Sequence, residues 1–170
     1  MDALLLPLLE SWDRQAEIIR NLSGLITEET RGFLPSPDGM ALYRQLAHIH
    51  QVRKGWLESA SPEIAEELED AYFEKEGKWH PIEDLGQLKV MLANSDVAVR
   101  RAFEEAVKGG VAPMGPYDHP VYFLQHMIWH EGWHAGLIML ALRLNGHEPA
   151  DAWEEKNLWG YWRTEEEWTG

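Results

Sequence analysis

The sequence contains no cysteine among its 170 residues. Disulfide bonds, thiolate-bound zinc, iron–sulfur clusters and cysteine nucleophiles are therefore all excluded. Basic residues are also scarce, since 15 Lys and Arg accompany 29 Asp and Glu and the formal net charge is −14. A surface of this charge repels nucleic acid and anionic lipid. We therefore expect the protein to bind neither a nucleic acid nor a membrane.

Long hydrophobic runs are missing too, because no apolar stretch approaches the ~20 residues of a membrane-spanning helix. The opening residues 1–7 lack the basic start of a secretory signal peptide. Together with the missing cysteine, this predicts a cytoplasmic location. The length is that of one domain. We expect residues 1–170 to form a single domain with a short Trp-rich C-terminal tail.

Apolar residues recur at steps of three and four in four long segments, which is the spacing of amphipathic helices. These segments run from about Leu5 to Leu25, Met40 to Glu58, Pro81 to Val107 and Val121 to Asn145. Short helices are expected after Ser61-Pro62 and in the tail, and no segment alternates as a strand would. The sequence thus predicts an all-α four-helix bundle, whose longer loops permit crossover connections.

Three histidines on the fourth helix, His126, His130 and His134, are spaced by four residues. Each is rotated by only about 40° from the last, so they share one face. His130 and His134 fall in the apolar stripe, and two imidazoles one turn apart can bind one metal ion. The alternative, two buried histidines without metal, needs two buried polar partners. His126 lies about 12 Å along the axis from His134, so we expect it to line the pocket.

A metal site needs a third protein ligand, and the second helix offers His48 and His50. The two are rotated by about 200° from each other, so only one can face inward. An exposed His50 is the simpler interpretation. Neutral imidazole is the ligand type expected here, because cysteine is absent.

Residues 130–134 also read His-Glu-x-x-His, the zinc-peptidase motif. In that interpretation Glu131 is the general base that activates a water, and Glu154 or Glu155 supplies the third ligand. The motif is short and contains Gly132, a poor helix former. The peptidase interpretation therefore ranks below the others.

Two stretches, residues 46–57 and 124–138, resemble the DinB family of metal-binding four-helix bundles, the DinB/YfiT-like superfamily, and the resemblance covers nearly the whole chain. The family pattern is a Leu-x-His on the second helix and a His-x-x-x-His followed by a glycine. The resemblance implies His48, His130 and His134 as metal ligands, with Gly136 as that glycine. The sequence departs from the family's closing His-Arg-Gly-Gln, because Ala135 and Leu137 replace the arginine and the glutamine.

The resemblance also implies a divalent metal ion, zinc foremost with nickel, manganese or iron as alternatives, and a homodimer. Characterised relatives include transferases and a maleylpyruvate isomerase that use low-molecular-weight thiols. We therefore expect a metal-dependent thiol S-transferase or hydrolase acting on a small molecule. Glu131 would orient a ligand or act as the catalytic base. The alternative is a non-enzymatic, stress-related bundle that binds a metal or a small ligand.

Tryptophan is abundant, with nine residues in the chain. Trp56, Trp129 and Trp133 either form the wall of an apolar pocket or pack in the core. Nine tryptophans exceed what one small core readily covers, and tryptophan is enriched at interfaces. This count is a second reason to expect a homodimer.

Overall fold

The computed structural model describes residues 4–164, and most of them are helical, as predicted. In chain order the elements are α1 (Leu5–Leu25), α2 (Leu42–Ala60), α3 (Pro62–Ala65), β1 (Tyr72–Lys75), β2 (Lys78–Pro81), α4 (Leu85–Lys108), α5 (Pro120–Leu144) and α6 (Asp151–Glu154). A π-helical turn and a 3₁₀ turn extend α6 to Trp162. Residues 165–170 of the predicted tail lie outside the described residues. Among those described, no helix is both long and apolar enough to cross a bilayer.

The ends of the long helices follow local signals in the sequence. The first helix begins and ends at the predicted residues. The third long helix, α4, begins four residues later than predicted, because Pro81 closes β2 and Asp84 caps the helix. The Asp84 carboxylate accepts a hydrogen bond from the Gln87 backbone N–H at 2.7 Å, as an N-cap residue does.

The expectation that no strand is present is wrong for residues 72–81, which form an antiparallel hairpin. The two turn residues, Glu76 and Gly77, both have positive φ, as the favoured two-residue hairpin turns require. Nearly every strand residue is exposed. A strand with no buried face needs no alternation of apolar and polar residues, so period-two analysis misses it.

The long helices pack so that α1 and α2 each lie against both α4 and α5. Their apolar residues form two clusters, one toward each end of the helices. Between the clusters, four buried polar side chains, one from each long helix, are joined by hydrogen bonds: Gln15, Arg53, Ser95 and Glu131. These four residues, named here the polar layer, cross the core at mid-height.

The expectation of an exposed His50 is also wrong. Its side chain is buried, and its ring nitrogens lie 2.9 Å from the Met91 carbonyl oxygen and 2.8 Å from that of Glu69. The reason is that α2 packs on two sides, so the face opposite His48 is covered by α4 and by the loop that contains Glu69.

Candidate metal centre

The packing of α2 against α5 brings His48, His130 and His134 together. Each offers a ring nitrogen, and these three atoms lie within 4.8 Å of one another. The Nε2 atoms of His48 and His130 are 3.3 Å apart. The three ring centroids are separated by 4.6 to 5.2 Å. Three imidazoles therefore converge on one small volume.

This arrangement fits a metal ion. Two nitrogens bound to one zinc ion at ~2.0–2.1 Å and at tetrahedral angles lie about 3.3–3.4 Å apart. The separation between His48 and His130 already has this value. The remaining separations, at most 4.8 Å, can be shortened by small side-chain rotations. The three histidines could therefore hold a divalent metal ion.

Gln45 orients one of the three rings. Its side chain is fully buried, and its Oε1 accepts a hydrogen bond from His134 Nδ1 at 3.0 Å. Its own amide nitrogen donates to the Met40 carbonyl at 3.2 Å, which fixes the direction of the amide. With the proton held on Nδ1, the Nε2 lone pair of His134 is free to bind a metal, as metal-binding histidines commonly arrange.

Burial keeps the cluster uncharged. It lowers the pKa of His130 to about 3, with the neighbouring imidazoles lowering it further. It lowers the pKa of His134 to about 4 and also lowers the pKa of His48. At neutral pH all three rings are therefore neutral, which is the protonation state that binds metal.

The centre is partly open to solvent, because His48 and His130 are half-buried while His134 is buried. Three neutral ligands leave the charge of a divalent ion uncompensated, and a four-coordinate ion would keep one position open.

His126 lies outside the group of three and belongs to an aromatic cluster. The Tyr117 hydroxyl lies 2.7 Å from His126 Nδ1, and Trp56 meets both rings edge-on, with centroids 5.2 and 5.6 Å away. Burial raises the pKa of Tyr117 to about 12, so its hydroxyl stays protonated at neutral pH. His126 precedes His130 by one turn on α5, so this cluster flanks the three histidines.

Glu131 contacts a different part of the molecule. Its Oε1 accepts a hydrogen bond from Arg53 Nε at 2.6 Å, and both side chains are buried. Gln15 Nε2 lies 3.5 Å from the other carboxylate oxygen. Arg53 also donates to the Leu92 carbonyl at 2.8 Å. Glu131 therefore belongs to the polar layer, next in sequence to His130 but facing the core.

The other candidate residues are dispersed. Glu155 pairs with Arg163 in the C-terminal segment, and neither it nor Glu154 belongs to the histidine group. Trp129 and Trp133 are mostly exposed and stack on each other with ring centroids 6.2 Å apart. Of the three tryptophans considered for the pocket wall, Trp56 is the one that packs on His126.

Sequence reasoning missed Gln45 and Arg53, and it did not single out Tyr117 from Tyr43 and Tyr122 as a possible proton donor. Gln45 carried a readable signal, since it interrupts the apolar stripe of α2 one turn before His48. Arg53 carried none, because a single arginine on an amphipathic helix is ordinarily exposed. Tyr117 lies in a loop, whose path no periodicity predicts.

Comparisons with known proteins identify no relative. No family model, no curated protein and no solved structure matches the chain.

Proposed function

We propose that the protein is a metal-dependent enzyme that acts on a small molecule, in the manner of a thiol S-transferase or a hydrolase. The observation that carries this proposal is the convergence of three neutral imidazoles from α2 and α5, two of them only half-buried. When bound there, a divalent ion, zinc foremost, would supply Lewis-acid chemistry by lowering the pKa of a thiol or a water.

We also propose that the fold is a four-helix bundle of the DinB/YfiT-like kind with crossover connections. The support is the packing order of the long helices. α1 and α2 follow each other in the chain, yet each packs mainly against α4 and α5. The connection between them therefore crosses an end of the bundle instead of joining adjacent helices. The two sequence stretches that resemble the family carry the three histidines.

The residues around the three histidines would position a substrate. Gln45 holds the His134 ring in one tautomer. Trp56 offers an apolar wall for the body of a small molecule. The Tyr117 hydroxyl is a protonated donor beside His126. For Glu131, the buried ion pair with Arg53 weighs against a role as the catalytic base.

Two alternatives remain to be separated by experiment. A non-enzymatic protein that binds a metal or a small ligand would use the same three histidines without turnover. The peptidase interpretation needs the Glu131 carboxylate beside a water at the metal. The engagement of that carboxylate by Arg53 in the core weighs against it.

The first test is the metal content of the untagged protein, measured by elemental mass spectrometry. We expect about one metal ion per chain in the wild type, and loss of the ion in His48→Ala and in His130→Ala. His80→Ala is the matched control, because His80 is an exposed histidine of β2. Full metal retention in both site variants, with circular dichroism unchanged, would overturn the proposed site.

The second test measures turnover of the metal-loaded protein with a low-molecular-weight thiol and an electrophile, and with an ester substrate. We expect turnover that disappears in His130→Ala and survives in His80→Ala. Stoichiometric metal without turnover of either substrate class would favour the non-enzymatic alternative.

A further inference from the structure

A cavity of about 380 Å³ lies between α1 and α4. Its lining comes from α1 between positions 16 and 24, from α4 between positions 89 and 96, and from Arg53 of α2. A water molecule takes up about 30 Å³ in the liquid, so the cavity has room for an organic molecule. None of its lining residues belongs to the three histidines of the candidate metal centre. The cavity is therefore a separate candidate binding site.

Arg53 brings an incompletely bonded guanidinium group to this cavity. Its Nε donates to Glu131 at 2.6 Å. Its Nη1 donates to the Leu92 carbonyl at 2.8 Å and to the Ser95 hydroxyl at 3.2 Å. Its Nη2 is buried and has no hydrogen-bond partner within the part of the chain that the structure describes. A buried donor without a partner is costly, and most so when it is charged. An acceptor atom bound in the cavity would complete the hydrogen bonding of this group.

Lys89 places an ammonium group at the same cavity. The side chain is half-buried, and its Nζ donates to the Ile26 carbonyl oxygen at 3.1 Å. Among the described residues Lys89 forms no ion pair. An ammonium group has three N–H donors, so this group keeps both donors and charge for a ligand. Lys89 therefore adds a positive charge that no described carboxylate neutralises.

The other two charged residues of the lining, Arg20 and Asp96, bind each other. The Arg20 Nη2 atom lies 3.3 Å from an Asp96 carboxylate oxygen. Arg20 also pairs with Glu17, which lies outside the lining. Arg53 pairs with Glu131 in the polar layer. Of the three cationic residues that line the cavity, only the lysine lacks a carboxylate partner within the described residues. A single negative charge on a ligand would balance it.

We propose that this cavity binds a small organic monocarboxylate. Its carboxylate oxygens accept hydrogen bonds from Arg53 Nη2 and Lys89 Nζ, and its apolar body packs between α1 and α4. Hydrogen bonds between a guanidinium or ammonium group and a carboxylate are charge-assisted and stronger than those between neutral groups. Ile19 and Leu92 are among the apolar residues that would cover the body of the ligand.

A carboxylate fits this cavity better than other small acceptors do. A water or an alcohol can accept a hydrogen bond from Arg53, but it brings no charge to Lys89. Inorganic phosphate brings charge, but it has no apolar part to cover the aliphatic side chains of the lining. Binding sites for small organic molecules combine an apolar lining with a few placed polar groups. The two unneutralised donors and the aliphatic lining together meet this description.

The test is an NMR titration of the isotope-labelled full chain with benzoate, a monocarboxylate with an apolar ring. Carboxylates also bind metal ions, so the titration is run on chelator-treated and on zinc-loaded protein. In both we expect saturable shifts of the Arg53 side-chain N–H signal and of backbone amides in residues 16–24 and 89–96. Benzyl alcohol and inorganic phosphate should each bind about tenfold more weakly or less. Because the chelator-treated protein is expected to bind benzoate, the proposal does not depend on the proposed enzymatic function.

A cavity-filling variant tests the location. Gly24 lines the cavity, is exposed in the last turn of α1, and would carry a Cβ that meets no heavy atom within 4 Å. We expect Gly24→Leu to abolish saturable benzoate binding with unchanged circular dichroism. Gly136→Leu is the matched control, because Gly136 is an exposed helical glycine of α5 with equally open surroundings and lies outside this cavity. We expect this control to bind benzoate as the wild type does.

A second set of variants tests the charge. We expect Lys89→Gln to weaken benzoate binding about tenfold and Lys89→Arg to restore most of it. Lys108→Gln removes an exposed lysine of the same helix outside the cavity and should leave the affinity unchanged. The proposal is overturned by benzoate binding that survives Gly24→Leu, by equal affinity for benzyl alcohol, or by unchanged affinity in Lys89→Gln. Shifts that need zinc would place the carboxylate at the metal centre and overturn it as well.

Discussion

Gln45 and His134 join α2 to α5 through a buried hydrogen bond of 3.0 Å from His134 Nδ1 to Gln45 Oε1. This bond selects the tautomer that leaves Nε2 available to a metal. The carboxamide is itself held by the Met40 carbonyl. The orientation of a proposed ligand therefore depends on a residue outside the group of three histidines.

Gln45→Ala should weaken metal binding without removing a ligand. Loss of a residue that orients a metal-binding histidine typically lowers affinity 10–100-fold. We expect a loss in this range, measured by competition with a chromogenic chelator, with the stoichiometry still one per chain. Gln51→Ala is the control, since Gln51 also lies on α2 but binds Asp70 at the surface. Equal affinities in the wild type and Gln45→Ala would refute the positioning role.

As the pH is lowered, the metal-free protein should begin to lose stability at a higher pH than protonation of its carboxylates alone would cause. The pKa values of His130 and His134 are lowered to about 3 and about 4, against 6.5 in the unfolded chain. Between the lowered pKa values and pH 6.5, the unfolded chain binds more protons than the folded chain. The free energy of unfolding therefore falls as the pH falls through this range. Above about pH 6.5 these histidines are neutral in both the folded and the unfolded chain, so they cause no loss of stability there.

The measurement is the thermal unfolding temperature of chelator-treated protein from pH 8 to pH 4.5. We expect a plateau above about pH 6.5 and a steady decrease below it. His130→Ala should flatten this decrease, because it removes the most strongly shifted ring. A wild type and a His130→Ala variant with the same slope would show that the cluster does not contribute to the acid sensitivity.

Breaking the buried ion pair of Arg53 and Glu131 should strongly destabilise the fold. Removing one partner of a buried pair leaves an uncompensated charge and costs about 3–5 kcal/mol. We expect a loss of this order for Glu131→Gln in urea unfolding, and a smaller loss for the double variant Arg53→Met/Glu131→Leu, which removes both charges. Glu28→Gln, in an exposed pair with Arg31, should change stability by less than about 1 kcal/mol.

The same variant separates the two roles considered for Glu131. A Glu131→Gln protein of unchanged stability that binds metal but has lost turnover would identify Glu131 as a catalytic base and contradict the role derived from its ion pair.

Gly115 should not tolerate a side chain. Its φ is +58°, and a Cβ there would lie 2.6 Å from the Ser59 carbonyl oxygen. We expect Gly115→Ala to lower the free energy of unfolding by roughly 1–3 kcal/mol or more, because both strain and the close approach oppose it. Gly24→Ala, in the last turn of α1 with no atom within 4 Å of the added Cβ, should instead raise it by about 0.4–1 kcal/mol. Urea unfolding of the two variants side by side measures both effects.

Apolar periodicity predicted the long helices closely, and α1 begins and ends where expected. It failed for the hairpin, which has no buried face, and for α2, which has two buried faces. The hairpin of residues 72–81 has almost no buried face and thus no pattern. A single apolar stripe on α2 predicts an exposed His50 on the opposite side of the helix, whereas α2 is covered on two sides.

The sequence by itself determined the mainly helical fold, the absence of cysteine chemistry and the shared face of His130 and His134, because each follows from composition or from the 3.6-residue period. Only the tertiary structure decided that His48 meets this pair while His50 packs against α4. It also decided that Gln45 orients His134 and that Glu131 pairs with Arg53. Each of these contacts joins residues more than 40 positions apart, and local spacing carries no information about how two helices are rotated against each other.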